Sequence, residues 1–197
     1  MKYLFPCLPN RLSPVNRYFD DLDRDAQWVG EIKKNGWRAL IMKKDDKLEI
    51  WNRHERLVTE KLDSIRETLF GLPNDTMLDG ELIFTRRVKD APDAFYLFDI
   101  LFMNGDALYN EPFKKRRGIL EIIYKEYLAM NPAIELARQV HIGKKALYYQ
   151  SIQGDLNEGI VLKNVDAIYP VSDQKCLQNP YWLKVKKVEN HVKCGAN

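Results

Sequence analysis

In Trp182-Leu183-Lys184-Val185-Lys186, charged and apolar side chains alternate strictly. Only an extended strand sends such neighbours to opposite faces, because its side-chain period is two. With Leu183 and Val185 turned toward a core, Trp182, Lys184 and Lys186 share the other face, and both ammonium groups aim into one cleft. Three more segments place charges on strands whose composition is otherwise that of a buried sheet. Glu31-Ile32-Lys33 puts an acid and an amine on one face. Asp79-Gly80-Glu81 leads into Leu82-Ile83-Phe84, and Glu158 opens Gly159-Ile160-Val161-Leu162-Lys163.

The rest of the pattern surrounds these strands. The first thirty residues carry Pro6, Pro9 and Pro14 and read as loop and short helix. Asn35-Gly36 is a tight-turn signal. Ala39 to Met42 and Leu48 to Trp51 read as strands flanking a polar turn from Lys43 to Lys47. Thr59 can cap a helix carrying Leu62, Ile65 and Leu69 on one side. Strands are expected at Thr76–Phe84 and Ala94–Phe102. Asn110 should cap a helix with Pro112 in its first turn and a stripe of Leu120, Ile123, Tyr124, Tyr127 and Leu128. A further helix is expected from Lys144 to Gln153, stopped by Gly154, then strands at Gly159–Lys163 and Tyr181–Lys187. Strands outnumber helices and mostly lack helical crossovers. The expectation is an α+β protein with antiparallel sheets flanked by helices.

Composition excludes several alternatives. The chain has 197 residues, 45% hydrophobic and 30% charged, which is globular rather than disordered. It shows no repeat or Gly/Ser linker, so one domain is expected. Cys7, Cys176 and Cys194 are odd in number and far apart, which fits neither a disulfide framework nor a zinc cluster and favours a reducing, intracellular setting. The most apolar run, Ala94 to Met103, is interrupted by Asp99 and falls far short of the ~20 residues a spanning helix needs. The net charge of +3 says little about partners. The clusters Arg86-Arg87, Lys114 to Arg117, Lys144-Lys145 and Lys184 to Lys187 each read as a solvated face when taken alone.

Taken one at a time, the charged strands are ordinary turns, strand entries or amphipathic edges. Their order is what carries information. The sequence resembles the covalent nucleotidyltransferase superfamily, and within it the adenylation domain of ATP-dependent DNA ligases of the compact viral or phage type. The segments that carry the resemblance are Glu31-Ile32-Lys33-Lys34-Asn35-Gly36-Trp37-Arg38, Ile50-Trp51-Asn52-Arg53-His54, Leu78-Asp79-Gly80-Glu81-Leu82, Tyr96-Leu97-Phe98-Asp99-Ile100-Leu101, Glu158 to Lys163, and Trp182 to Lys186. They run from about residue 28 to 187.

The resemblance implies an ATP-grasp-like nucleotidyltransferase fold and a division of labour. Lys33 is implied as the nucleophile that attacks the α-phosphate of ATP, forming a lysine–AMP bond and releasing pyrophosphate. A free lysine has a pKa of about 10.4, and nearby cations and desolvation favour the neutral, attacking form of an amine. Glu31 is implied as acceptor for the adenine amino group, with Ile32 beside it, and Phe98 as the ring that stacks on the base. Arg38 and Arg53 are implied as phosphate and nick contacts, and Lys184 and Lys186 as the α-phosphate clamp. Glu81 is implied at the ribose or a metal, and Glu158 at the metal, making a hard-oxygen site for Mg²⁺ or Mn²⁺. The partner implied is nicked duplex DNA; a monomer is expected, and the free cysteines by themselves point to the cytoplasm or, for a viral protein, the host cell interior.

Several features depart from the pattern. Asn35 stands where aspartate is usual, and Trp37 and His54 stand where residues vary or are smaller. Trp37 reads as core first and as a nucleic-acid stacking platform second. Residues 1–187 are expected to form the adenylation domain and 188–197 a tail, with no OB-fold domain in this sequence; a shortened chain, a natural minimal enzyme and a partner that supplies that function are the three readings of this. The alternatives in the same superfamily are an RNA ligase and an RNA-capping guanylyltransferase, the latter disfavoured by Glu31. Outside it stands a catalytically idle nucleic-acid-binding relative.

Overall fold

The alternating segments become strands, and the strands assemble into two sheets. The computed structural model describes residues 1–13, 17–58, 63–83 and 93–187. In chain order the elements are β1 (Leu8–Arg11), α1 (Arg17–Arg24), β2 (Trp28–Lys34), β3 (Trp37–Lys44), β4 (Lys47–Asn52), α2 (Asp63–Phe70), β5 (Thr76–Ile83) and β6 (Ala94–Met103). There follow β7 (Asp106–Ala107), α3 (Phe113–Ile123) running into a π-helical turn (Tyr124–Leu128), β8 (Ile134–Leu136), β9 (Gln139–Val140), α4 (Lys145–Ser151), β10 (Asn157–Asn164) and β11 (Gln178–Lys186). Pro14, Thr59, Leu62, Phe84, Arg86, Arg87, Cys194 and the 188–197 tail lie outside the described residues.

One sheet has the order β1-β11-β10-β2-β9 and the other β4-β3-β5-β6-β7, with β8 added beside β6. Pairing is antiparallel except for β1 with β11 and β6 with β8. The fold is the expected α+β one. In the second sheet, Ile41, Ile50, Leu78, Leu82, Phe95 and Leu97 pack against Ile65 and Leu69 of α2 and Leu120 and Ile123 of α3. In the first, Ile160, Leu162, Leu183 and Val185 pack against Phe19 and Leu22 of α1. Each sheet therefore keeps one face on helices. Leu40, Met42, Met77 and Leu101 of one sheet meet Trp182 of the other across the gap between them.

Several local expectations need correction. The proline-rich start is not only loop and helix: Leu8–Arg11 is an edge strand, a place where the missing amide of Pro9 costs no ladder bond. Asn35-Gly36 closes no hairpin, because β2 and β3 belong to different sheets. Asn35 instead donates from its backbone amide to the Leu156 carbonyl (2.8 Å) and from its side chain to that of Asp155 (3.0 Å). A Cβ on Gly36 would lie 3.0 Å from the Leu82 carbonyl carbon, so the chain crosses between sheets at a point only glycine fits.

Asn110 is not a cap. Pro112 holds the position before α3, and the amides of Phe113 and Lys114 donate to the carbonyls of Ala167 and Val165, which satisfies the first turn without a side chain. The π-helical turn inserts extra residue per turn and rotates Tyr127 outward to 38% exposure while Leu128 stays buried. The last helix starts at Lys145 and ends at Ser151. Two basic clusters are not wholly solvated faces. Arg116 is buried in a bidentate pair with Asp99 (2.8 and 2.9 Å), and Lys145 is buried with its ammonium on the Asp25 carbonyl (3.2 Å). Both charges have acceptors, which is the condition for burying them.

Candidate active site

The faces that do not meet helices face each other, and between them lies a cleft of about 520 Å³, a size suited to a nucleotide-scale ligand. Every residue singled out from the sequence lines it: Glu31, Ile32, Lys33, Arg38, Arg53, Glu81, Phe98, Glu158, Lys184 and Lys186. Alternation explains most of this convergence. Glu31 and Lys33 share a face of β2, Arg38 shares one of β3 with Leu40, and Lys184 and Lys186 share one of β11 with Trp182.

Alternation fails at Glu158, and the cause is a bulge. Lys33 pairs with Gly159 and Lys34 with Asn157, so Glu158 is an extra residue on β10. Strict alternation would align Glu158 with Ile160 and Leu162, toward the helices; the bulge re-aims it into the cleft. Gly159 makes this possible, with φ +149 and a backbone so close that a Cβ would lie 2.9 Å from Lys186 Cα. On β6, Phe98 follows Tyr96 onto the cleft face by ordinary alternation, while Phe95 and Leu97 face the helices; the bulge after Leu97 only resets the faces beyond it.

At one end of the cleft, Lys33 Nζ lies 2.5 Å from Glu158 Oε2, and Lys186 Nζ lies 2.9 Å from the same oxygen. Burial alone would raise the Glu158 carboxyl, but hydrogen bonds from Lys33 and Lys186 and their charges override it and hold it below the usual carboxylate range. Lys184 is pushed down, first by burial and then by the charges of Lys33, Lys186, Arg11 and Arg53. This end concentrates positive charge and suits an anion.

At the other end, Glu31 is 2% exposed. Its Oε2 takes the Lys163 ammonium at 2.7 Å, its Oε1 accepts from Gln139 Nε2 at 2.9 Å, and Arg117 Nη1 stands 3.7 Å away. Lys163 also donates to the Phe98 carbonyl (3.2 Å) and lies 4.8 Å from the Phe98 ring centroid and 4.2 Å from that of Trp182. Lys163, Gln139 and Arg117 were missed in the sequence. Lys163 shares the alternating face of Val161 and closes the Glu158 to Lys163 segment, and those were its available signals.

Arg38 sits less freely than a phosphate contact would. Its guanidinium is held by buried Asp79 at 2.5 and 2.6 Å, and Tyr169 donates to the same carboxylate at 2.5 Å. Burial opposes the Arg38 charge, but Asp79 outweighs it and the guanidinium stays firmly protonated. Its carbon lies 4.5 Å from the Phe98 ring centroid, so it also supports that ring. Trp37 is not core: it is 42% exposed and stands at the rim of the cleft.

Glu81 and Glu158 line the same cleft, and no cluster of three or more potential metal ligands occurs among the described residues. Two carboxylates fit a small hard cation that takes its remaining ligands from phosphate oxygens and water, rather than an all-protein metal cage. Among the described residues no helix is long and apolar enough to cross a membrane.

A family model described as ATP dependent DNA ligase domain matches residues 6–93 and 85–186. A DNA ligase of Methanocorpusculum labreanum is 29% identical over 181 residues, covering 80% of this chain and 32% of that protein. An SPbeta prophage-derived DNA ligase-like protein of Bacillus subtilis is 23% identical over 178 residues, covering 82% of this chain and 62% of the relative. The chain thus spans about a third of the length of the archaeal relatives it matches. Among solved structures, the ligase domain of Mycobacterium tuberculosis LigD superposes with a TM-score of 0.70 at 23% identity, over 93% of this chain and 59% of that one. The Chlorella virus DNA ligase-adenylate superposes with a TM-score of 0.61 at 17% identity, over 92% and 66%. These two likenesses concern the fold.

Proposed function

This chain belongs to the ATP-dependent DNA ligase domain family, and from that premise we propose that it activates itself with ATP at Lys33 and passes the AMP to a 5′-phosphate at a nick in duplex DNA. The observation that carries the reading is the meeting of Lys33, Glu158 and Lys186 at 2.5 and 2.9 Å in a cleft that also holds Glu31 and Phe98.

The proposed chemistry follows from these groups. The Lys33 nitrogen attacks the α-phosphorus, a P–N bond forms, and the P–O bond to pyrophosphate breaks. An attacking ammonium must first lose a proton to solvent, which the cations around it favour, and the Glu158 carboxylate orients the Lys33 nitrogen through their hydrogen bond. Lys184 and Lys186 neutralise charge that builds on the phosphate, a preorganised contribution that is usually the largest in such reactions. Glu31 accepts from the adenine amino group, with Ile32 beside it. Phe98 stacks on the base, its ring held by Arg38 and Lys163. Arg38 adds positive potential from its fixed place on Asp79, while Arg53 at the rim contacts the nicked strand. Glu81 and Glu158 would hold Mg²⁺ or Mn²⁺, which when bound supplies further neutralisation of the triphosphate.

We read the protein as acting as a monomer in the cell interior, with residues 1–187 as the adenylation domain. Incubation with ATP and Mg²⁺ should add the mass of one AMP, and Lys33→Ala should not gain it. Unmodified protein at every ATP level, including protein as purified, overturns the reading. The AMP-charged protein should then seal a nicked DNA duplex resolved on a denaturing gel; sealing of nicked RNA alone would move the assignment to an RNA ligase.

A further inference from the structure

β1 is the edge strand of the first sheet and runs parallel to β11. After a break in register at Pro9, Asn10 pairs with Leu183 and Arg11 with Lys184, and the Leu12 amide donates to the Lys184 carbonyl at 2.9 Å. Paired residues project from the same face of a sheet. Leu183 and Leu12 belong to the helix-side core, whereas Lys184 lines the cleft. Arg11 stands between Asn10 and Leu12, so it shares the cleft face with Lys184, and it is exposed there.

The register extends this row across the sheet: Glu31 pairs with Val161, Val161 with Lys184 and Lys184 with Arg11. Three strand spacings separate the ends of the row, roughly 14 Å. At one end is the carboxylate proposed to meet the base, and Lys184 of the proposed α-phosphate clamp comes third. A nucleotide laid along the row turns its outer phosphates toward Arg11. The chemistry requires the same direction. In a displacement at phosphorus the attacking and leaving atoms lie roughly in line. Attack by Lys33 from β2 therefore sends pyrophosphate away from β2, toward β11 and β1.

The charges agree. Glu158 meets the cations at this end, and its Oε2 already takes both Lys33 and Lys186. Among the described residues Lys184 and Arg11 have no acidic partner. Like charges directly opposite each other on neighbouring strands are destabilising, and Arg11 and Lys184 are such a pair. The Arg11 charge is among those that push Lys184 down, after burial. An anion between the two removes the repulsion, and a guanidinium presents a planar fork that matches two phosphate oxygens.

We propose that Arg11 binds the outer phosphates of ATP, donating to oxygens of the β- and γ-phosphates and holding pyrophosphate as the P–O bond breaks and its electron pair leaves with that group. This rests on the adenylation reading above. It adds a residue for the leaving group, on a strand that carries none of the site residues expected from the sequence.

Arg11→Gln removes the charge from an exposed edge position and should leave the melting temperature unchanged. Equilibrium binding should be measured for ATP and AMP, and release of AMP from the charged protein should be followed against pyrophosphate concentration. The variant should lose about 10-fold in ATP affinity, the value of one charge-assisted contact near solvent, and nothing for AMP. Half-saturating pyrophosphate should rise by the same factor, and Arg11→Lys should recover part of both losses. AMP transfer from the charged variant to a nicked duplex should keep the parental rate. Equal handling of ATP and pyrophosphate by parent and variant overturns the proposal, as does an equal loss for ATP and AMP. A defect confined to the nicked-duplex step also overturns it, assigning Arg11 to the DNA backbone. Should Arg11→Gln fail to fold, Arg11→Lys decides: a loss for ATP and pyrophosphate but not AMP supports the contact, and no loss overturns it. A parent that gains AMP while Arg11 proves silent leaves the adenylation reading standing; a parent that neither gains AMP nor releases it to pyrophosphate removes both.

Discussion

Lys33 Nζ and Glu158 Oε2 are 2.5 Å apart although their residues are 125 positions apart in the chain. The pairing exists because β2 and β10 are adjacent and antiparallel, and because one extra residue in β10 turns Glu158 to the Lys33 face. The nucleophile proposed for this chain is thus placed by a strand register and its reactive partner by a bulge. The predictions below test that arrangement and the buried charges around it.

Glu158→Gln keeps the size of the side chain and removes the charge that gathers Lys33 and Lys186. Single-turnover AMP attachment should slow by about 100-fold, the range seen when one preorganised electrostatic group is deleted. A rate within a factor of two of the parent would show that Glu158 has no part in the step.

The same carboxylate should make the fold acid-sensitive. Its folded value lies below the usual 4.5, so the unfolded chain binds more protons there. The stability it contributes is present above about pH 4.5 and is lost as pH falls through the folded value. Melting temperatures from pH 6 down to pH 3 should therefore drop more steeply for the parent than for Glu158→Gln. Parallel curves would contradict the assignment.

Arg38 and Asp79 form a buried bidentate pair, with Asp79 wholly enclosed. Asp79→Asn leaves the guanidinium without its counter-charge and should cost about 3–5 kcal/mol in urea unfolding. Arg38→Lys, which cannot match the fork, should also destabilise measurably. A midpoint unchanged in both variants would mean the pair is not formed.

Glu31 and Lys163 make a second buried pair at 2.7 Å. Lys163→Met alone should be strongly destabilising, because it strands a carboxylate in the interior. Glu31→Gln combined with Lys163→Met should recover part of that loss, giving a coupling energy of about 1–3 kcal/mol in a double-mutant cycle. Additive effects would show that the two side chains act separately.

Gly159→Ala should fail where Gly154→Ala is milder. A methyl at 159 meets the backbone of Val185 and Lys186, whereas nothing lies within 4 Å of one at 154. Gly154 has φ +78 and Gly159 φ +149, a region essentially closed to other residues, so backbone strain and the close approach both act against a methyl at 159. The 159 variant should also lose AMP attachment, since its bulge carries Glu158.

The sequence by itself determined which residues could share a face. Period-two alternation puts Glu31 with Lys33 and Trp182 with Lys184 and Lys186, and the apolar residues between them oblige that face to point away from the helices. It also marked β5 and β6 nearly to the residue, because long runs of buried side chains leave little freedom of assignment. Only the tertiary structure decided which strands are neighbours. Asn35-Gly36 looks like a hairpin turn from its own chemistry, yet its flanking strands pair with β10 and β5 instead of each other. The bulge at Glu158, the clasp of Lys163, Gln139 and Arg117 on Glu31, and the capture of Arg38 by Asp79 are equally invisible locally. Each joins residues 41 to 132 positions apart. Local pattern fixes the direction of a side chain; the partner it meets is fixed by long-range pairing, which the stretch around it does not encode.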